Sequence, residues 1–310
     1  SGGLTVAEAA LGEELGLDPE RAREVGEFAA TLLGERPLYE HQLQAWQALA
    51  RGEHPVVAGG TGSGKTEAFL LPILAALVVE SAEWMAGAAT PQRWWEQSSQ
   101  HVPHRDGEQG REAGMRALVL YPMNALVEDQ LVRLRRVLDG PAQTNWLDQH
   151  RHGHRFYFGR YTGQTPSAHE NLRRVYREAA RIASAAELRD RRSSERERRE
   201  GLGEGTLTRY RPFVERPLGA EALSRPDMIA QAPDLLITNF SMLNIMLMRP
   251  EEQTIFRQTH DWLEADASHR FHLVLDELHS YRGTAGTEVS LLLRKLLHRL
   301  GLTARPERLR

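Results

Sequence analysis

Short runs of β-branched and apolar residues recur along the chain at 55–58, 117–121, 155–161, 235–238 and 271–275. Most lead into a longer segment whose apolar residues return at helical spacing, at about 64–79, 124–138, 241–248 and 284–300. In the last of these, Val289, Leu292, Leu293, Leu296, Leu297 and Leu300 share one face. Strand followed by helix, repeated, predicts an α/β fold: a doubly wound, mainly parallel sheet whose ligands gather at the carboxyl ends of the strands.

Two stretches interrupt the rhythm. About 80–115 is rich in Gln, Ser, Gly and His, with Trp84, Trp94 and Trp95 among them, and reads as a surface excursion. About 165–232 is a larger insertion whose middle, 171–200, is a dense Arg/Glu run ending at the glycines 201, 203 and 205. That run is either a solvated helix or partly disordered arm, or an element that contacts phosphates or docks a partner. Trp94-Trp95 likewise marks either packing or a partner contact. The alternating His150, His152 and His154 have no carboxylate spaced to complete a metal site and read as surface loop. Phe156, Tyr157 and Phe158 read as strand packing rather than a base-stacking platform.

Composition narrows the function classes. At 310 residues and 41% hydrophobic, the chain can bury a large core. No apolar run reaches the roughly 18–20 residues that span a bilayer, so no membrane partner is expected and a cytoplasmic location is the default. With no cysteine, disulfides and thiolate metal sites are excluded together. A formal charge of −3 supplies no global attraction to a polyanion, so any nucleic-acid contact must be local. The opening Ser-Gly-Gly reads as a tag remnant, and 1–35 as that remnant plus a helical extension ahead of the main domain, 36–310.

The chemistry is concentrated in two motifs. Gly59-Gly60-Thr61-Gly62-Ser63-Gly64-Lys65-Thr66 fits G-x-x-x-x-G-K-[ST] between an apolar run and a helix. Its glycines let successive N–H groups face phosphate oxygens, and the helix N-terminus adds a positive dipole end. Thr61, Gly62, Ser63 and Gly64 would line the phosphates of ATP, Lys65 would reach the β and γ groups, and Thr66 would ligate Mg²⁺. Lys65 is one of two lysines, Lys295 being the other, in a chain that otherwise uses arginine. Downstream, Phe271-His272-Leu273-Val274-Leu275 ends in Asp276-Glu277-Leu278-His279. Asp276 is placed to hold Mg²⁺ and Glu277 to orient and deprotonate water.

Together these motifs resemble motifs I and II of superfamily 2 helicases in DExH form, and other segments follow in that family's order. Leu38-Tyr39-Glu40-His41-Gln42 resembles the Q-type motif, which implies that Gln42 reads the adenine edge. Tyr121-Pro122-Met123-Asn124-Ala125-Leu126-Val127-Glu128-Asp129-Gln130 resembles motif Ia, Tyr161-Thr162-Gly163-Gln164-Thr165 the Thr-Gly element, and Pro233-Asp234-Leu235-Leu236-Ile237-Thr238-Asn239-Phe240 the next strand-binding motif. The resemblance implies a RecA-like P-loop domain with helical insertions. It implies that Pro122, Asn124, Thr162, Gly163, Thr238 and Asn239 bind single-stranded nucleic acid, and that His279 couples the two sites. Each polar residue also has an ordinary reading, Asn124 and Asn239 as helix caps and Thr162-Gly163 as a turn. The run Asp276-Glu277-Leu278-His279-Ser280-Tyr281-Arg282-Gly283, with Tyr121-Pro122-Met123-Asn124-Ala125-Leu126 and Thr238-Asn239-Phe240-Ser241-Met242-Leu243, is similar to bacterial DNA helicases of the YprA repair type and of phage-defence systems such as DISARM. That implies DNA rather than RNA, tracked 3′ to 5′, and a repair or defence partner. It also implies a second RecA-like domain, absent here, so that the fragment would bind nucleotide and hydrolyse it weakly. The alternatives are an RNA remodeller of the same superfamily, a P-loop ATPase that does not act on nucleic acid, and a non-hydrolysing scaffold.

Overall fold

The computed structural model describes residues 16–34, 37–58, 64–97, 100–122, 124–203, 206–207, 209–281 and 283–310, with 124–129 and 285 described as backbone. Five parallel strands form one sheet: β1 (Ala117–Tyr121), β2 (Phe158–Tyr161), β3 (Glu221–Ala222), β4 (Leu235–Asn239) and β5 (His272–Leu275), in the order β3-β2-β4-β1-β5. All five residues of β1 are buried, which is what a strand covered on both faces requires.

The two-residue period of the strands feeds two cores. Ala117, Val119, Tyr121, Leu235 and Ile237 face α1 (Pro19–Leu33), α2 (Glu40–Ala50), α3 (Lys65–Ser81), and, beyond the four-residue α4 (Trp94–Gln97), α5 (Asn124–Leu138) and α6 (Pro141–His150). Leu118, Leu120 and Leu236 face the opposite layer. After the long α7 (Leu172–Glu200), that layer is built from α8 (Arg225–Ala230), α9 (Phe240–Met248), α10 (Gln253–Ala265) and α11 (Thr284–Arg299). Local signals set the helix starts: the Asp18 carboxylate accepts two N–H groups before Pro19, Ser224 and Asp227 form a capping box, and Asn239 caps α9.

Three expectations are corrected. The run 55–58 forms no strand, and Val56 is 78% exposed. A strand needs a neighbour for its N–H and C=O groups. The outer edge of β5 is instead taken by the C-terminal residues, with Phe271 bridging Leu309 and the Leu273 N–H donating to the Arg310 carbonyl. The stretch around 80–115 is not a surface excursion: Trp84, Trp94, Trp95, Arg105 and Arg116 are buried. Arg111 stacks on Trp84 at 3.7 Å and pairs with Asp234, whose other oxygen accepts the Tyr157 N–H. Arg116 pairs with Glu80 at 2.5 Å. His154 is also buried, bonded to Glu108 and the Met85 carbonyl, because its loop folds against that same charged layer under the sheet.

The Arg/Glu run is a continuous 29-residue helix, α7, capped by the Asn171 side chain and by Gly201 in the left-handed region at φ 64°. Leu172, Tyr176 and Ala179 bury one side of its first turns on Trp94 and Trp95, so the tryptophan pair is packing. Phe156 and Phe158 lie in the core, as expected of strand packing.

Candidate nucleotide and strand-binding site

The parallel topology brings the motif residues to one edge. Reading across the sheet, Thr162 and Gly163 follow β2, Thr238 and Asn239 end β4, Pro122 and Asn124 follow β1, and Asp276 and Glu277 follow β5. At about 4.8 Å per strand, the three loops proposed to meet nucleic acid lie side by side over about 10 Å. The acidic pair sits at the end of that row. The Asp276 N–H donates to the Leu120 carbonyl, which fixes the acid where β5 leaves the sheet.

A cavity of about 430 Å³ opens there, lined by Gly64, Lys65, Thr66, Gln130, Asp276 and Glu277. Lys65 and Thr66 are the first residues of α3, and Gly64 before them has φ 77°, a conformation glycine adopts without cost. Residues 59–63, with the predicted phosphate contacts Thr61, Gly62 and Ser63, lie outside the described residues. The buried Thr66 hydroxyl donates to Gln130 Oε1 at 3.3 Å. Burial raises the Asp276 carboxyl above its ordinary range, and the adjacent Glu277 charge adds to this. The Glu277 N–H, which Asp276 Oδ1 accepts at 2.9 Å, and the charges of Lys65 and His279 oppose the shift. Glu277 itself has φ 50° and ψ 45°, left-handed backbone unusual for a residue with a side chain, and its Oε2 lies 3.2 Å from His279 Nδ1. From that turn Glu277 lines the cavity.

Gln42 differs from expectation. Its Oε1 accepts the Tyr39 N–H at 2.9 Å and its Nε2 donates to the Gly64 carbonyl at 2.9 Å, so both ends of the amide are engaged inside the protein rather than offered to an adenine. The strand-binding candidates divide. Gly163 is exposed, and a side chain there would meet open space. Thr238 is fully buried and its hydroxyl donates to the Tyr161 carbonyl at 2.6 Å, so it bridges two strands and does not face a ligand. The buried Thr162 hydroxyl accepts the Gln164 N–H at 3.3 Å, holding the turn. Asn239 Oδ1 accepts the Met242 N–H at 2.8 Å as the cap of α9. Pro122 is half-buried beyond β1, and Asn124 opens α5.

Residues without an assigned role in the motif reading also build the site. Gln130 holds Thr66, and it is the last residue of the motif Ia segment, so its place in that motif was the available signal. Tyr281 has a buried hydroxyl without a partner among the described residues, and its ring meets Phe240, the first residue of α9, at 4.5 Å between centroids. Among the described residues no group of three or more His, Cys, Asp or Glu could hold a metal, and no helix is long and apolar enough to cross a membrane.

Residues 39–175 match the DEAD/DEAH box helicase family. The chain is 36% identical over 305 residues to Druantia protein DruE of Escherichia coli (strain UMEA 4076-1), in a match that covers 87% of this chain and 15% of DruE. It thus spans about 15% of the length of that curated relative. Among solved structures it is similar to the DUF1998 helicase MrfA bound to DNA and AMPPNP, at 18% identity and TM-score 0.45 over 89% of this chain and 24% of MrfA. It is similar also to Mycobacterium smegmatis helicase Lhr bound to ssDNA and AMP-PNP, at 21% identity and TM-score 0.48 over 89% of this chain and 22% of Lhr. The stretch 39–175 thus carries the likeness to DEAD/DEAH box helicases, and the DExH strand, which lies beyond that match, closes the same cavity.

Proposed function

We propose that this domain is the ATP-binding motor unit of a DNA helicase or translocase that works in DNA repair or anti-phage defence. The observation that carries the reading is the convergence of Lys65, Thr66, Asp276 and Glu277 on one cavity at the carboxyl edge of the sheet, beside a continuous row of polar loops. The likeness to a Druantia protein supports the defence setting. The donor set fits Mg²⁺: a hydroxyl and a carboxylate are hard oxygen ligands, and this ion takes few protein ligands alongside water and phosphate. Thr66 and Asp276 would hold it, and bound there it would offset negative charge gathering on the phosphates. The Lys65 ammonium binds the β and γ phosphates of ATP. Glu277 takes the proton of the attacking water, held in place by its turn, and His279 beside it passes the state of that carboxylate toward the strand-binding loops. Gln42 acts on the nucleotide through Gly64, whose carbonyl it holds. Single-stranded DNA would run along the β2, β4 and β1 loops, met by the exposed backbone at Gly163, by Pro122 and by Asn124.

In the whole protein a second RecA-like domain would complete the site. An arginine from such a domain contributes about 10³–10⁵ in rate where the effect has been dissected, so hydrolysis by the 310-residue chain is expected to be slow. The test is Mg²⁺-dependent binding of a fluorescent ATP analogue, followed by anisotropy of matched single-stranded DNA and RNA. Lys65→Ala should abolish nucleotide binding, whereas Glu277→Gln should keep it and lose at least about 100-fold in single-turnover hydrolysis. Nucleotide affinity indifferent to Lys65 sinks the motor reading, and RNA bound as tightly as DNA sinks the DNA assignment.

A further inference from the structure

The motor reading leaves α7 without a role. This helix holds ten arginines against six acids, a net +4 within a chain of net −3. At 3.6 residues per turn, Arg174, Arg181, Arg192 and Arg199 fall within about 20° of one another and form one straight stripe about 37 Å long. All four are exposed. Arg181 reaches Glu178 at 2.6 Å, a surface pair of the kind that exchanges partners readily. Arg174, Arg192 and Arg199 have no side-chain partner among the described residues. The opposite side of the helix is engaged, through Tyr176 on the tryptophan pair and Glu197 paired with Arg209 at 2.6 Å, so the stripe is held outward.

We infer that this stripe is a docking surface for the phosphate backbone of duplex nucleic acid, outside the single-strand track. Charge complementarity and length carry the assignment. Guanidinium groups match phosphate oxygens as bidentate donors, and about 37 Å corresponds to about 11 base-pair steps, one turn of a duplex. Position agrees: α7 begins ten residues after Thr162, at the end of the loop row proposed to take the single strand, so duplex lying on the stripe would be continuous with that track. A single strand fits less well, because the exposed stripe carries no aromatic ring on which bases could stack. An anionic membrane also fits less well, because Ile182 and Leu188 are the large apolar side chains exposed on this helix and two residues make no apolar face.

The test compares two double variants that remove the same charge from the same helix on different faces. Arg192→Gln/Arg199→Gln takes two residues from the stripe. Arg191→Gln/Arg198→Gln takes their immediate neighbours, which lie about 100° away and line a crevice against Arg135 and Arg209. Anisotropy of a 25-base-pair duplex is followed from 50 to 200 mM salt, with circular dichroism to confirm equal helix content. The parent chain should bind with a steep salt dependence. Each lost phosphate contact lowers the log–log slope by about 0.9, so the stripe variant should show a slope shallower by about 2 and a loss across this range about tenfold smaller, while the crevice variant should match the parent. Equal slopes in the two variants, no duplex binding by the parent, or phosphatidylserine vesicles competing the duplex off the stripe would overturn the inference. ATP-analogue affinity is read in the same samples: its absence in the parent sinks the motor reading alone, and its retention without duplex binding sinks the stripe alone.

Discussion

The left-handed turn at Glu277 makes a prediction whose sign is unusual. At an ordinary position alanine is more stable than glycine by about 0.5–1 kcal/mol, because glycine loses more freedom on folding. At φ 50° a Cβ clashes with the following carbonyl, at a cost of about 1–2 kcal/mol that glycine escapes. The difference favours glycine by about 1 kcal/mol. Glu277→Gly should therefore be more stable than Glu277→Ala, although both remove the same carboxylate and the same contact to His279. Comparing the two variants with each other, rather than with the parent, cancels the loss of repulsion between Glu277 and Asp276. For a chain of this length the difference corresponds to about 1.5 °C in melting temperature, within reach of calorimetry, and denaturant unfolding provides the independent free energy. Neither variant should hydrolyse ATP. If the alanine variant is as stable as the glycine variant or more so, the turn is not strained and the proposal that it holds this carboxylate in place fails.

Two further outcomes separate folding from function. Thr238→Val should cost about 1–2 kcal/mol in urea unfolding, since it removes the donor to the Tyr161 carbonyl inside the sheet, and should leave single-strand affinity per folded molecule unchanged; a selective loss of affinity would return Thr238 to the strand-binding set. Burial of His272, with the Arg310 charge adding to it, pulls its ring down to about 4. Because the unfolded ring titrates near 6.5 and the folded one near 4, the unfolded state binds the extra proton first, so stability present above about pH 6.5 falls as the pH drops toward 4. The full effect is about 3 kcal/mol, and His272→Leu should flatten the curve in that window. An unchanged pH profile in the leucine variant would contradict this origin of the acid sensitivity.

What could be read without the structure follows from how each signal arises. The continuous apolar runs at 117–121 and 235–238 and the apolar face of 284–300 are local properties, and they returned as β1, β4 and α11. The motif residues also converge as expected, because a parallel sheet delivers every carboxyl end to one edge. The strand expected at 55–58 failed because a strand is defined by its neighbour, and the edge it would need is occupied by Leu309 and Arg310 from the other end of the chain. The 80–115 stretch misled for a related reason. Its polar residues look solvated in isolation, and the partner of Arg111, Asp234, lies 123 residues away in the chain. Gln42 and Thr238 show the same limit at single residues: polar chemistry in the right motif, already satisfied by the protein's own backbone.

The charged layer beneath the sheet has an evolutionary consequence. Arg111, Arg116, Asp234 and Glu80 interlock, with Arg105, Glu108 and His154 beside them, all on the amino side of the strands and away from the cavity. Removing any one partner strands a buried charge at a cost of about 3–5 kcal/mol, whereas exchanging the group together for apolar residues can be neutral. These positions can therefore drift only in concert, so among related chains they should covary as a block. The polar residues at the opposite, carboxyl edge answer to ligands rather than to one another and should vary independently of that block.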